Sequence, residues 1–346
     1  LNEEFSMKRL LMGVAKRMVT SKALMLPIGM AADRFMGSRG CLTTFHRAAS
    51  SQDWEKLPNR DFYLDLGFLD EFLTYLAKRG WDVVTMEAAL YRATLDKPHD
   101  RFINFSVDDC YRDTYEGVVP LFRRHNAPVT LFVTTGIPDG TLPLWAAGLE
   151  DVLLNNDRVM LEDGGIEVPT GEAKREAFHR IASSWDGPQA RTRYATFCEL
   201  NGVDIEAMHW KHAITWEMLE ELRHDPLVEI GAHTVSHARI SSLSPERARA
   251  ELQGSRDRLI ERLGIPARHF AFPYGRSGDC GPRDFEIARE SGFASAATTR
   301  KGLVRPDQQA YGLPRNTLNG AHRSLATMEL HLTGITGAAA RMMGRV

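Results

Sequence analysis

The sequence predicts an α/β fold, a single barrel-like domain of parallel strands interrupted once. Three observations predict it. From residue 41 onward, short apolar runs of strand character alternate with segments of helical spacing, the pattern of βαβ units. The alternation stops only at 141–213, a polar, helix-prone stretch, and then resumes. The composition is that of an ordinary globular chain: 346 residues, 43% hydrophobic, 25% charged, with a formal net charge of −2. That balance excludes a disordered chain, a collagen-like repeat and a disulfide-stapled miniprotein, and it carries no electrostatic footprint for nucleic acid. Cys41, Cys110, Cys198 and Cys280 are widely scattered with no CxxC pair, so they read as reduced thiols.

Taken in order, residues 1–40 read as a basic helical segment. Lys8 and Arg9 precede a short apolar run, and Lys16 and Arg17 follow it. The run is too short for a signal peptide or a membrane span. Over 7–30 the segment reads as an amphipathic helix packed on the domain, with peripheral membrane contact as the other reading. A cytoplasmic protein, or one peripheral at the inner membrane face, is the expectation. Residues 41–46 form a β-prone run. A helix over 68–79 stops at Gly80, a residue suited to helix ends. Strands follow at 81–85 and 102–107, a helix at 115–124 and a strand at 128–134.

Residues 141–213 read as a helical insertion capping one face, with Gly164 and Gly165 inside it. Helix 215–223 and strand 227–231 come next. Helix 245–263 starts behind Ser244, a residue that caps helix N-termini, and stops at Gly264 with Pro266 beyond. Strand 269–273, helix 282–291 and strand 294–298 complete the alternation. The domain therefore spans 41–320, followed by a helical tail at 321–346.

Three segments stand where strands should end, the place where α/β barrels build active sites. The first is Phe105-Ser106-Val107-Asp108-Asp109, an apolar strand running into two carboxylates. Adjacent side chains on extended backbone point apart, so one can hold a cation while the other reaches water or substrate. The second contains His233 and His237, four apart, which meet on one side if the chain turns helically and then suit a divalent metal. The third, Phe270-Ala271-Phe272-Pro273-Tyr274-Gly275, presents a backbone N–H and an aromatic wall of use around a developing oxyanion. Each alone has a bland reading: a helix cap, a chance pair among 12 histidines, a β-edge turn.

Together they resemble the polysaccharide deacetylases with a NodB-type domain (carbohydrate esterase family 4), in the exopolysaccharide and chitooligosaccharide deacetylase branch. Tyr111-Arg112-Asp113 after the carboxylates and Pro128 to Val133 as the next strand support the match, which spans about residues 41–318. The resemblance implies a distorted (β/α)7–8 barrel with fewer than eight regular strands. It implies Asp108 as catalytic base, Asp109, His233 and His237 as metal ligands, and Tyr274 as the residue whose backbone N–H steadies the oxyanion. The glycine usual after the Asp pair is Cys110 here, and Ala271 stands where an arginine usually orients the base. Arg315 could supply that charge from another strand. For the catalytic acid, His46 resembles the early Tyr-His of circularly permuted relatives, whereas His331 sits in a helix-like tail.

The activity implied is metal-dependent removal of N-acetyl groups from an N-acetylglucosamine-containing oligo- or polysaccharide. Zinc is the leading metal, and cobalt, nickel or iron suits the same donors. Alternatives are an O-acetyl carbohydrate esterase on the same site, a catalytically weakened carbohydrate-binding relative, and an iron oxygenase, whose two-histidine, one-carboxylate ligand set is the same. Trp145, Trp185 and Trp210 in the insertion could stack on sugar rings, although core packing is the commoner use of tryptophan.

Overall fold

In the computed structural model, residues 40–334 are described except 96–100, 186–188 and 306–307; the basic segment expected before residue 40 and the chain after 334 lie outside the described residues. In chain order the strands are β1 (Gly40–Phe45), β2 (Arg47–Ala49), β3 (Tyr63–Asp65), β4 (Asp82–Val83), β5 (Phe102–Asp109), β6 (Val129–Val133), β7 (Arg158–Leu161), β8 (Gly164–Glu167), β9 (Val228–Ala232), β10 (His269–Ala271), β11 (Ser295–Ala297), β12 (Tyr311–Leu313) and β13 (Asn316–Thr317). The helices are α1 (Ser51–Trp54), α2 (Leu66–Lys78), α3 (Met86–Thr94), α4 (Val119–Arg124), α5 (Trp145–Asn155), α6 (Gly171–Ser184), α7 (Ala190–Leu200), α8 (Ile205–His212), α9 (Trp216–Leu222), α10 (Pro245–Leu263), α11 (Pro282–Glu290) and α12 (Leu325–Leu332).

All eight residues of β5 are buried, as those of a central parallel strand covered on both faces should be. It lies inside a curled sheet of order β12-β11-β10-β9-β6-β5-β1-β13, with β4 added to its lower half. Every pair in that sheet is parallel. The strands at the two ends of the order, β12 and β13, are separated in the chain only by Pro314 and Arg315. One extended segment therefore pairs with β11 at its start and with β1 at its end, and the curl returns on itself. The sequence reading recognised neither strand, because each is three residues or fewer and a proline divides them.

Alternation along the strands sorts side chains between two apolar layers. Leu42, Phe102, Phe132, Ala271, Ala297 and Leu313 pack together inside the curl. Phe45, Phe105, Val107, Leu131 and Phe270 join the outer layer beneath the helices. Gly231 is required inside: a Cβ there would sit 2.8 Å from the Phe132 ring and 2.7 Å from the His269 carbonyl. Helix α10 starts and stops as its sequence dictates. The Ser244 hydroxyl accepts the Arg247 N–H at 3.3 Å, and Gly264 closes it in the left-handed conformation.

The insertion carries its own apolar core around Leu149, Leu153, Phe178, Ile181, Trp185 and Phe197. It differs from the expected all-helical cap in one respect. Residues 158–167 form an antiparallel hairpin, β7–β8, because Val159 and Ile166 face each other across it and Gly164 takes φ 127 at the turn. Trp185 packs edge-on against Trp145 at 5.9 Å and Phe197 at 5.5 Å, so these two tryptophans serve that core. The C-terminal segment is not an outlying tail as far as residue 332: Met328 to Leu332 are all buried, with Met328 and Leu332 in the main core.

Candidate active site

The alternation that buries Phe102 inside the curl also points Asp108, three pleats further on, into its mouth. Asp108 is 1% exposed, and Arg315, between β12 and β13, is 0% exposed. The Arg315 guanidinium grips both carboxylate oxygens, Nη1 to Oδ1 at 2.7 Å and Nη2 to Oδ2 at 2.8 Å. Its remaining donors reach the Thr298 carbonyl and the Ser106 hydroxyl, and its plane lies 5.2 Å over the Phe132 ring. Burial pushes the Asp108 carboxyl up, but Arg315, with the imidazoles of His233 and His46 adding to it, holds it well below the usual carboxylate range. Asp108 is thus an ionised carboxylate fixed in one orientation. The arginine missing at Ala271 is replaced by one from a different strand.

Asp109, one residue later, takes φ 67 and turns out of the strand. Its Oδ1 lies 3.2 Å from His237 Nε2 and 3.5 Å from His233 Nε2, and the three ligand atoms fall within 4.8 Å of one another. His233 is fully buried; its Nδ1 lies 2.7 Å from the Ala271 carbonyl, so Nδ1 carries the proton and Nε2 offers a lone pair. Burial pushes its pKa down to about 4, which keeps the imidazole neutral, the form that binds metals. Asp109 Oδ1 and His233 Nε2 are both buried without a hydrogen-bond partner. Two acceptors facing each other in a dry site are costly unless a cation lies between them. The donor set fits a divalent ion held by two imidazoles and one carboxylate.

The two histidines do not meet on a helical turn, as expected from their spacing. They flank a loop in which Thr234 and His237 take φ 67 and 56. Among the described residues, seven non-glycines have positive φ, and five of them (Asp109, Cys110, Thr234, His237, Tyr274) border this site. Such conformations cost free energy and persist where the surroundings over-determine them. Cys110 at φ 67 explains why a glycine suits that position.

Tyr274 forms the rim, 48% exposed, its ring 5.0 Å from the His237 ring and 4.9 Å beneath the Arg239 guanidinium. Gly275 behind it has no alternative: a Cβ would lie 2.6 Å from the Thr299 nitrogen. His46 follows the last residue of β1 on the inward parity of Leu42, and its ring packs 4.8 Å from Phe62. His331 lies elsewhere. The Cys41 thiol, at the start of β1, lies 3.8 Å from its carbonyl, its ring is 4.9 Å from that of His322, and burial pushes its pKa down to about 3. The structure thus brings together Asp108, Asp109, His46, His233, His237, Tyr274 and Arg315 and leaves His331 out.

Residues 185–293, which include both histidines and Tyr274, match the model of the polysaccharide deacetylase family. That match covers about a third of the chain. A curated relative, the putative polysaccharide deacetylase YxkH of Bacillus subtilis, is 25% identical over 105 residues, 30% of this chain and 36% of YxkH, so the match spans about a third of that protein. Solved structures share the fold at low identity. The deacetylase PplD of Streptococcus pyogenes, in complex with acetate, superposes with a TM-score of 0.53 at 15% identity, covering 81% of this chain and 92% of PplD. IcaB of Ammonifex degensii gives 0.54 at 18% identity, covering 85% and 97%. The chain therefore shares the curled parallel sheet of these proteins. The sequence reading missed what supports its site: the Ser106 and Thr298 contacts to Arg315, and the Ala271 carbonyl that sets the His233 tautomer. Each contact joins segments apart in the chain, so no single stretch of sequence shows it.

Proposed function

We propose that this protein is a metal-dependent deacetylase that hydrolyses N-acetyl groups of an N-acetylglucosamine-containing oligo- or polysaccharide. One observation carries the reading: an ionised carboxylate, locked by a buried arginine, stands next to a dry cluster of two imidazoles and a carboxylate whose lone pairs converge. When bound, a divalent ion, with zinc the leading candidate, would polarise the acetyl carbonyl and acidify water.

In this reading Asp108 accepts the proton of the attacking water, and Arg315 keeps both its charge and its aim. The Tyr274 backbone N–H donates to the oxyanion, and its ring with Arg239 walls the mouth against bulk water. His46, on the other side of the mouth, protonates the leaving amine. The weakened-relative reading draws on the departures at 110 and 271; Arg315, paired with Asp108, answers the second. The test is acetate release from chitooligosaccharides, poly-N-acetylglucosamine fragments and acetylated xylan, with and without a chelator. Chelator-sensitive release from the N-acetylated sugars is expected; release from xylan alone would make the site an O-acetyl esterase, and no release from any would refute the proposal.

A further inference from the structure

The loop between the two histidine ligands is held from outside the site by one side chain on a helix. Glu251, in the second turn of α10, accepts the backbone N–H of Val235 and of Ser236 on Oε2 at 3.0 and 2.9 Å, and the Ser236 hydroxyl on Oε1 at 2.6 Å. On the loop's other side, the N–H groups of Thr135 and Gly136 donate to the Thr234 and Val235 carbonyls. That approach is so close that a Cβ at Gly136 would lie 2.5 Å from the Val235 oxygen. Within the loop, the Thr234 hydroxyl accepts the His237 N–H at 3.0 Å. Thr234 and His237 both take positive φ, so the loop spends free energy in the conformation that aims His237 at Asp109.

We propose that Glu251 is a positioning residue for the metal centre: its three charge-assisted hydrogen bonds hold the strained loop that brings His237 Nε2 to Asp109. The inference rests on the metal-centre reading above. His233 is anchored independently, through the Ala271 carbonyl and complete burial, whereas His237 keeps a quarter of its side chain exposed and depends on its loop. Hydrogen bonds to an ionised acceptor are about twice as strong as neutral ones, so one carboxylate can outweigh two unfavourable backbone conformations. Two of the three bonds come from backbone amides, and only the Ser236 hydroxyl adds a side chain of the loop. The restraint acts through geometry, and Glu251 itself touches neither metal nor substrate.

The experiment uses the full chain stripped of metal, with zinc alone as the probe. Zinc affinity is read by competition with a chromophoric chelator, and hydrogen exchange of the Val235 and Ser236 amides is read in the metal-free protein. Glu251→Ala should weaken zinc about 10–100-fold, the usual effect of removing a group that orients a ligand, and should unprotect both amides. Glu251→Gln should stay within about threefold of the wild type, because its carbonyl oxygen can accept both amides while its NH2 donates to Ser236. Leu252→Ala removes a fully buried side chain of the same helix without touching the three bonds, so it should lose stability and keep zinc affinity. Wild-type zinc affinity in Glu251→Ala, a loss in Leu252→Ala as large as in Glu251→Ala, or a failure of Gln to rescue would each overturn the proposal. If Glu251→Ala does not fold, Glu251→Asp takes its place: one methylene short of the loop, it should lose about tenfold, and unchanged affinity would overturn the proposal equally. A wild-type protein that binds zinc and protects these amides yet releases no acetate would refute the deacetylase reading alone. Normal acetate release with a zinc-tight Glu251→Ala would refute only this one, and a wild type without zinc affinity would refute both.

Discussion

Replacing Arg315 by methionine should be among the most damaging single changes in the domain, and its cost follows from what remains behind. The substitution keeps an unbranched apolar stem and removes four hydrogen bonds: two to Asp108, one to Ser106 and one to Thr298. Asp108, 1% exposed, then keeps a carboxylate with no cation against it. Breaking a buried pair by removing one partner costs about 3–5 kcal/mol, because the surviving charge stays desolvated. For a chain of this size that corresponds to a fall in Tm of roughly 4–7 °C. Urea denaturation at pH 7, in chelator so that metal does not contribute, measures it. The pH dependence has a definite sign. In the wild type the folded pKa of Asp108 lies below its unfolded value, so the pair stabilises above about pH 4, and that stability is lost as pH falls through the folded pKa. In Arg315→Met, burial, the largest influence on this carboxyl, acts without a guanidinium against it and raises the folded pKa, so stability falls as pH rises from about 4, and the gap to wild type widens toward neutrality. Adding Asp108→Leu to Arg315→Met should recover much of the loss, since an apolar pair can replace a buried ion pair at little cost. A single variant within about 1 kcal/mol of wild type at pH 7, or a double variant less stable than the single, would refute the reasoning.

Four other tests bear on the site and the fold. Asp108→Asn should retain metal in elemental analysis yet lose about 10²–10⁴ in turnover, because an amide cannot take the water proton; loss of metal here and not in Asp109→Asn would reverse the two roles. His46→Ala should slow acetamide hydrolysis by about 10²-fold or more and spare an activated aryl ester, whose leaving group needs little protonation; equal losses on both would deny it the acid role. Cys110→Gly should be tolerated better than Cys110→Ala by about 1 kcal/mol in thermal denaturation, because only glycine relaxes at φ 67; the ordinary order, alanine better than glycine, would show that Cys110 is unstrained. His331 is buried with its pKa pushed down to about 3, so below about pH 6.5 the unfolded chain takes up a proton that the fold refuses. His331→Leu should therefore lose less stability between pH 6.5 and 4 than the wild type while turnover is unchanged, and an activity loss without a stability change would bring His331 into the site.

Local chemistry explains what was legible in the sequence. Helix α10 has the bounds expected from the residue that caps it and the glycine that ends it, since both act within one turn of the backbone. Asp108, Asp109, His233 and His237 could be singled out because each ends an apolar strand, and strand ends of a parallel sheet share one rim. The resemblance to a known family supplied their roles; the spacing of the residues did not. Where the reading departed from the structure, the cause lay across the chain. The histidine pair looked helical by spacing, but hydrogen bonds with the turn after β6 and with Glu251 of α10 hold its loop in a conformation that local preference disfavours. The hairpin at 158–167 was hidden by two glycines, and β12 and β13 by the proline between them.

The sequence by itself determined the alternation, hence a parallel α/β sheet, and the residue types that can bind a cation or move a proton, because these depend on side-chain chemistry and on periodicities of two and 3.6 residues. Only the tertiary structure decided which of them meet. Arg315 reaches Asp108 from 207 positions away because the curl returns through one extended segment to pair with β1. His46 and His331, of which the sequence already favoured the first, part company because one follows the end of β1 and the other packs beside its beginning. Closing such distances is the work of long-range strand pairing and burial, whose free energy is collective and leaves no mark on any single stretch of chain.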